Sequence, residues 1–205
     1  MRFRPTIVIP AAGAGSRFGG PLHKLQQEFD GGTVLGATVR RAIETQLPLV
    51  VVTTLALAPL VGRQLATRDI VVLSEQEAAR GMGATIASGV AERSGAPGWL
   101  VLPGDMPLVR PGSILAVASA LEHHAVVYAQ HRGRRGHPVG FAAELYSELV
   151  VLNNDDGARR VMLRYPAHGQ EVDDAGVLLD VDTPPDLDLL RQHVGKPPLV
   201  QQVAR

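Results

Sequence analysis

The chain has 205 residues, a length typical of one domain, and 45% of them are hydrophobic, which excludes a disordered chain. The formal net charge is zero, so we expect no extended basic surface and no nucleic-acid partner. The absence of cysteine excludes disulfides and thiolate metal sites and fits a cytoplasmic protein. No apolar run is long enough to span a bilayer, and the N-terminus lacks a signal-peptide core, so we expect no membrane association.

In the first half of the chain, short runs of β-branched residues alternate with helix-like segments. The runs predict strands at residues 6–9, 49–53, 70–73 and 99–102. Helices are predicted at residues 34–46, 56–66 and 85–93. Such alternation is typical of βαβ units and indicates a mostly parallel sheet with both faces covered by helices.

The second half of the chain alternates less regularly. Helices are predicted at residues 111–123, 156–163 and 184–193, and strands at residues 125–129, 137–141 and 177–179. A basic turn at residues 132–136 joins two of these strands, which indicates an antiparallel hairpin. Because residues 196–205 contain two prolines and show no periodicity, we assign a single domain to residues 1–195 and expect a loose tail after it.

A glycine-rich loop, residues 10–20, follows the first predicted strand directly. It lacks the Gly-x-x-x-x-Gly-Lys-Ser/Thr pattern of a Walker A loop. It departs from the dinucleotide-binding fingerprint, because Phe18 stands in place of the third glycine and the second strand ends without an acidic residue. A third mechanism fits better: backbone N–H groups approach phosphate oxygens, and Arg17 and Lys24 add positive charge. The alternative is a surface turn with two solvated cations.

Acidic residues follow two of the predicted strands. Asp105 comes after the fourth strand, and Asp180 and Asp182 come after the last one. Ligands of open α/β sheets bind at the carboxyl ends of the strands, so we expect these carboxylates near the glycine loop. Alternation along an extended chain directs Asp180 and Asp182 to one side, and Mg²⁺ prefers carboxylates and phosphates as ligands. As an alternative, Asp182 or Thr183 caps the helix that follows.

The loop and the acidic segments resemble those of one family. The pattern Ala-Ala-Gly-x-Gly-x-Arg-Phe-Gly-Gly at residues 11–20, with Lys24 after it, resembles the signature loop of nucleotidyltransferases related to the molybdenum cofactor cytidylyltransferases and guanylyltransferases. Residues 102–107 and 180–187 resemble the two metal-binding segments of that family. The resemblance covers almost the whole chain. It implies a three-layer α/β sandwich with a Rossmann-like, mixed but mainly parallel sheet, like that of the nucleotide-diphospho-sugar transferases.

The resemblance also implies an enzyme that transfers a nucleoside monophosphate from a nucleoside triphosphate to a phosphorylated acceptor and releases pyrophosphate. Arg17, Lys24 and Asp105 would be catalytic, and Mg²⁺ would be held by Asp105 and Asp182 with Asp180 beside them. The nucleotide would contact a larger set of residues: Ala11, Ala12, Gly13, Ala14, Gly15, Ser16, Arg17, Gly81, Ser88 and Asp105.

The acceptor would contact His137, Gly157 and Arg159, in segments that resemble acceptor-site segments of the family. In the second of these segments, Asn154 stands where the family usually has glycine. The arginines of the basic turn at residues 132–136 either belong to a solvated turn or attract a phosphorylated acceptor.

Ala12 favours the cytidylyl type, since guanylyl-type relatives tend to carry a second glycine at this point. CTP and molybdopterin are therefore the expected substrates, and a molybdoenzyme is an expected partner. Two alternatives stay open: a sugar-phosphate or GTP-dependent nucleotidyltransferase, and a non-catalytic nucleotide-binding protein that assists molybdoenzyme maturation. Residues 21–23 form a longer spacer before Lys24 than is usual in the family, which leaves open whether Lys24 or His23 reaches the phosphates.

Overall fold

The computed structural model describes residues 3–153 and 156–194. The strands are β1 (Thr6–Ala11), β2 (Glu28–Phe29), β3 (Gly32–Thr33), β4 (Leu49–Thr54), β5 (Ile70–Leu73), β6 (Gly98–Val101), β7 (Val126–His131), β8 (Arg134–Ala142) and β9 (Ala167–Glu171). The α-helices are α1 (Val34–Glu44), α2 (Glu75–Ala78), α3 (Met82–Glu92), α4 (Pro111–Ala120), α5 (Tyr146–Leu149), α6 (Arg159–Arg164) and α7 (Pro184–Arg191). Among these helices, none combines the length and the hydropathy that crossing a membrane requires.

Seven strands form one sheet in the order β5-β4-β1-β6-β8-β7-β9, and β2 and β3 form a separate hairpin. The central strand β1 pairs in parallel with β4 and β6, and β4 pairs in parallel with β5. Beyond β6 the strand direction changes, because β8 is antiparallel to both β6 and β7. The predicted mixed, mainly parallel sheet is therefore confirmed. The carboxyl ends of β1, β4 and β6 meet at one edge, where open α/β sheets bind their ligands.

Both faces of the sheet are buried, which explains why its central strands are apolar throughout. Ile7 and Ile9 of β1 face one hydrophobic cluster, which also contains buried residues of α1, α4 and α7. Val8 faces a second cluster with residues of α3, α5 and α6. Successive side chains of a strand point to opposite faces, so each apolar strand contributes to both clusters. The three-layer arrangement is confirmed.

Three predicted elements are wrong, each for a local reason. Residues 56–66 contain only a short 3₁₀ helix, Ala58–Leu60, because Pro59 and Gly62 disfavour a continuous helix. The strand at residues 177–179 is a 3₁₀ helix, Ala175–Leu178, whose first turn is capped by the Asp174 carboxylate. The basic turn is shorter than predicted, since Arg134 already belongs to β8.

The strand β9 was not predicted, because its residues Ala167–Glu171 are mostly polar and carry no apolar pattern. It lies at the edge of the sheet, where it pairs in parallel with β7. The hairpin β2–β3 and the short helix α2 were likewise missed. The tail at residues 196–205 lies outside the described residues, and its looseness stays a prediction.

Close packing between α3 and the sheet depends on Gly89. A Cβ atom at this position would lie 2.5 Å from Val8 Cγ1 and 2.9 Å from Val52 Cγ2, both in fully buried side chains. We expect Gly89→Ala to lower the free energy of unfolding by about 1–3 kcal/mol, because a filled core accommodates an added methyl group poorly. Denaturant unfolding measures the change.

The control is Gly112→Ala in α4, where a Cβ would meet no atom within 4 Å. Alanine favours helix over glycine, so this variant should keep or raise the free energy of unfolding by up to about 1 kcal/mol. Equal effects of the two substitutions would contradict the packing argument.

Candidate active site

A cavity of about 740 Å³ opens at the carboxyl edge of the sheet. Pro10 and Ala11, at the end of β1, form part of its wall, and residues 103–106, which follow β6, form another part. The two segments are joined by a backbone hydrogen bond of 3.1 Å from Gly104 N–H to the Pro10 carbonyl. A Cβ at Gly104 would lie 2.9 Å from a methyl group of Leu35, so glycine permits this close approach. The parallel sheet thus places the glycine loop beside Asp105.

The glycine loop is a turn that exposes its backbone to the cavity. Residues 13–17 all line the cavity. Gly15 has a φ of +63°, in the left-handed region that favours glycine, and its carbonyl accepts a hydrogen bond of 3.0 Å from Phe18 N–H. Phe18 is buried in the hydrophobic cluster with α1, which explains why an aromatic residue stands where a dinucleotide-binding loop has glycine. The loop is anchored by its aromatic end and open at its glycine end.

His23 supports this loop and, half-buried, also lines the cavity. Its Nδ1 accepts a hydrogen bond of 3.1 Å from Leu25 N–H, so Nε2 carries the proton and donates to the Gly13 carbonyl at 2.8 Å. A Cβ at Gly15 would lie 2.8 Å from the same Nε2 atom, which shows how closely the ring packs under the turn. His23 also caps the short 3₁₀ helix Lys24–Gln26. The spacer before Lys24 therefore has a structural role, because it brings an imidazole beneath the loop.

Lys24 lies between two carboxylates. Its Nζ donates to Asp105 Oδ2 at 2.6 Å and to Asp182 Oδ1 at 2.8 Å, and its side chain is only 13% exposed. Arg17 Nη1 lies 2.6 Å from the second oxygen of Asp182, but the Arg17 side chain is 77% exposed. Ion pairs of exposed side chains contribute little to stability, whereas Lys24 holds the two acidic segments together.

Asp180 and Asp182 reach the cavity because Val181 points the other way. Val181 is fully buried, and its N–H donates to the Asp105 carbonyl at 3.0 Å. Thr183, not Asp182, caps α7, and Asp186 completes the capping box. The carboxylate of Asp182 is therefore free to face the cavity. Although the segment follows a 3₁₀ helix and not a strand, extended backbone from Leu179 onward still places the two acids on one side.

Asp105, Asp180 and Asp182 each offer one carboxylate oxygen within 4.8 Å of the other two. Asp105 Oδ1 is buried and has no hydrogen-bond partner among the described residues. Three carboxylates with an unpaired oxygen are the donor set that a hard divalent cation such as Mg²⁺ prefers. The residues present therefore fit such an ion.

The pKa values of two groups reflect this concentration of charge. Burial lowers the pKa of the Lys24 ammonium, but the charge of Asp105 and hydrogen bonds to Asp105 and Asp182 outweigh it, so the pKa lies above its ordinary value. Burial and repulsion by Asp105 and Asp182 raise the pKa of the Asp180 carboxyl. A cation near Asp180 would favour its ionised form.

His137, in β8, also lines the cavity. Its Nδ1 is buried without a hydrogen-bond partner in the described part of the chain. Burial lowers the pKa of the imidazole, although the Asp105 charge and a hydrogen bond to the Val101 backbone oppose this. Its neighbour Gly136 has no room for a side chain, since a Cβ would lie 2.1 Å from the Val177 carbonyl oxygen. This contact packs β8 against the segment that leads to Asp180.

Of the other predicted site residues, Gly81 lines the cavity at the start of α3, with a φ of +93°. Ser88 lies about two turns further along α3, where its hydroxyl donates to the Ala84 carbonyl. Gly157 packs against Met82, which is itself a wall residue, and Arg159 begins α6. Ala12 is buried in the cluster with α3. Within residues 3–153 and 156–194, the cavity lining thus excludes four predicted residues: Ala12, Ser88, Gly157 and Arg159.

Binding of a divalent cation should stabilise the fold. At a concentration of MgCl₂ or MnCl₂ about a hundredfold above the dissociation constant, we expect the melting temperature to rise by about 5–10 °C. Asp105→Asn should abolish this rise, because it removes one carboxylate of the cluster. The control Asp186→Asn weakens the capping box of α7, whose cap is Thr183, and should cost up to about 1 kcal/mol while keeping the rise. Differential scanning calorimetry measures all three; a full metal response in Asp105→Asn would contradict the assignment.

Comparisons with known proteins identify a family and two relatives. Residues 7–172 match the family described as the MobA-like NTP transferase domain. The molybdenum cofactor cytidylyltransferase of Escherichia coli strain K12 is 24% identical over 179 residues, which cover 87% of this chain and 91% of that protein. The purine catabolism protein PucB of Bacillus subtilis strain 168 is 34% identical over 127 residues, which cover 57% of this chain and 59% of PucB.

Solved structures share the fold. The crystal structure of Rv0371c from Mycobacterium tuberculosis H37Rv has a TM-score of 0.78 and 28% identity, and the match covers 94% of this chain and 99% of that one. Its complex with manganese has a TM-score of 0.76 and 25% identity, over 93% and 100% of the two chains. The fold is that of the nucleotide-diphospho-sugar transferases. Because the family match covers most of the sequence, the chain belongs to the MobA-like NTP transferase domain family.

Proposed function

We propose that this nucleotidyltransferase transfers CMP from CTP to the phosphate of molybdopterin and releases pyrophosphate. The observation that carries the proposal is the Lys24 ammonium held between Asp105 and Asp182 beside the glycine loop, in one cavity. The cavity combines backbone N–H groups, two cations and a carboxylate cluster. These are the groups that a nucleoside triphosphate and its metal ion require.

In the proposed reaction, a phosphate oxygen of the acceptor attacks the α-phosphorus of the nucleotide. The bond from the α-phosphorus to the oxygen bridging the α- and β-phosphates breaks, and its electron pair leaves with pyrophosphate. Arg17 and Lys24 neutralise charge on the phosphates, while the loop fixes their position. No protein nucleophile is needed, because positioning and electrostatic stabilisation supply the catalysis.

Asp105 and Asp182, with Asp180 beside them, would hold the divalent cation. When bound, such an ion neutralises phosphate charge and orients the reacting groups. The manganese complex of Rv0371c supports a divalent metal in a protein of the same fold. For this chain, Mg²⁺ is our proposal.

The identities of the nucleotide and the acceptor are inferred from a similar protein. The choice of CTP and molybdopterin rests on the relative named molybdenum cofactor cytidylyltransferase. The Ala12 methyl group does not support a choice of base, because this side chain packs into the core and does not line the cavity. Sugar phosphates and GTP are therefore the competing substrates in the test.

The decisive assay combines each of the four nucleoside triphosphates with Mg²⁺ and molybdopterin. We expect pyrophosphate release to be fastest with CTP, and a product heavier than the acceptor by one CMP residue in mass spectrometry. Lys24→Met should lower kcat about 100- to 1000-fold, the usual loss when one preorganised electrostatic group is removed. Asp186→Asn, which changes the capping box of α7 and keeps an oxygen that can accept from the Asp182 and Thr183 N–H groups, should keep near-normal turnover.

Two results would change the proposal. Turnover only with GTP, or only with a sugar phosphate, would replace the substrates and keep the reaction class. No pyrophosphate release with any nucleotide and any of these acceptors would overturn catalysis and favour a nucleotide-binding accessory protein.

His23 provides a test of the loop's role in nucleotide binding. Glutamine can present an N–H near the position of Nε2, whereas asparagine can replace only the Nδ1 acceptor. We expect His23→Asn to raise KM for the nucleotide about five- to tenfold with little change in kcat, because the bond to Gly13 is lost. His23→Gln should restore KM towards the wild-type value. Steady-state kinetics distinguish the two variants. Equal KM values in both would show that the hydrogen bond to the Gly13 carbonyl does not position the loop for nucleotide binding.

A further inference from the structure

The β7–β8 hairpin contributes one more cation to the cavity. Arg135 lines the cavity from β8, as does His137 two positions further along the strand. Its Cζ lies 4.7 Å from the centre of the Tyr128 ring, within the range of a cation–π interaction. Tyr128 is itself only 7% exposed and belongs to the core cluster with α3. The guanidinium therefore rests on a rigid aromatic surface.

An irregularity in the sheet directs Arg135 to this place. The pairing of β7 and β8 shifts between Tyr128 and Gln130: Tyr128 pairs with Val139, but Gln130 pairs with Arg135. Between these two pairs, β7 has one residue and β8 has three, so residues 136–138 form a bulge in the hairpin. Bulges of this kind re-aim side chains and occur next to active sites. Here the bulge packs against the Val177 carbonyl and presents Arg135 and His137 to one cavity.

The charge partners distinguish Arg135 from the other cations of the cavity. Lys24 and Arg17 are both paired with carboxylates of the acidic cluster. Within the described residues, the ion pairs at 4.0 Å or less and the side-chain hydrogen bonds include Arg17 and Lys24 but not the Arg135 guanidinium. A planar guanidinium that is held in place and has no anion is suited to bind a phosphate through two N–H groups.

We propose that Arg135 binds the phosphate of the acceptor, at a second anion site separate from the one that holds the nucleotide's phosphates. The acceptor is accordingly a phosphate monoester, and His137 lines the same cavity two positions further along β8. This inference rests on the proposed nucleotidyl transfer. It assigns Arg17, Lys24 and the carboxylates to the nucleotide, and Arg135 to the second substrate.

The test measures binding without turnover. The protein is saturated with Mg²⁺ and α,β-methylene-CTP, whose α–β bond is not cleaved by transfer, and phenyl phosphate or inorganic phosphate is titrated by calorimetry. Arg135→Ala should weaken binding of either probe by about tenfold or more, while Arg135→Lys should recover part of the affinity. Affinity for α,β-methylene-CTP should stay unchanged.

Arg134→Ala is the matched control, because Arg134 is adjacent to Arg135, is exposed as Arg135 is, and lies outside the cavity lining. It should bind both probes like the wild type. The proposal is overturned if wild-type protein binds neither probe, if Arg134→Ala loses as much as Arg135→Ala, or if Arg135→Ala weakens α,β-methylene-CTP equally. Absence of turnover with every nucleotide would contradict the proposed function alone, since phosphate binding is measured independently.

Discussion

The Lys24 ammonium bridges Asp105 and Asp182, which lie 81 and 158 positions further along the chain. Without a cation, three carboxylates within 4.8 Å would repel one another in a partly buried space. Two backbone hydrogen bonds, from Gly104 to Pro10 and from Val181 to Asp105, help to place them there. The site is therefore preorganised by the main chain, and Lys24 compensates the charge that this geometry concentrates. The glycine loop, the turn after β6 and the segment before α7 all depend on this arrangement.

Much of the parallel half of the sheet could be predicted from sequence, because strands buried on both faces must be apolar throughout. The antiparallel half was less predictable. Residues Ala167–Glu171 form a strand through backbone pairing with β7, and their polar side chains carry no signal of it. The segment at residues 177–179 has strand-like composition but is a 3₁₀ helix, because the Asp174 carboxylate caps its first turn. Tertiary contacts override local preference in such short segments.

For the site, topology was the useful predictor. Acids and glycines that follow parallel strands meet at the carboxyl edge, so Asp105 and Arg17 could be expected together from their positions alone. Asp182 was expected there after a strand that is in fact a 3₁₀ helix, and the hydrogen bond from Val181 N–H to the Asp105 carbonyl places its segment beside Asp105. That Ser88 lies outside the cavity lining could not be predicted, because it depends on which turn of α3 faces the cavity. His23 supports the loop, and Arg135 stacks on Tyr128, through contacts between side chains and residues several positions away. The spacing of these residues in the sequence does not predict such contacts.

The change of strand direction after β6 divides the cavity between two parts of the sheet. The glycine loop and Asp105 extend from the parallel strands, whereas Arg135 and His137 belong to the antiparallel hairpin. In our proposal the first part recognises the nucleotide and the second recognises the acceptor. Substitutions in the hairpin can then alter the second substrate while the parallel strands and their phosphate chemistry stay intact. Such a division would let one ancestral scaffold diversify over many acceptors without rebuilding its reaction centre.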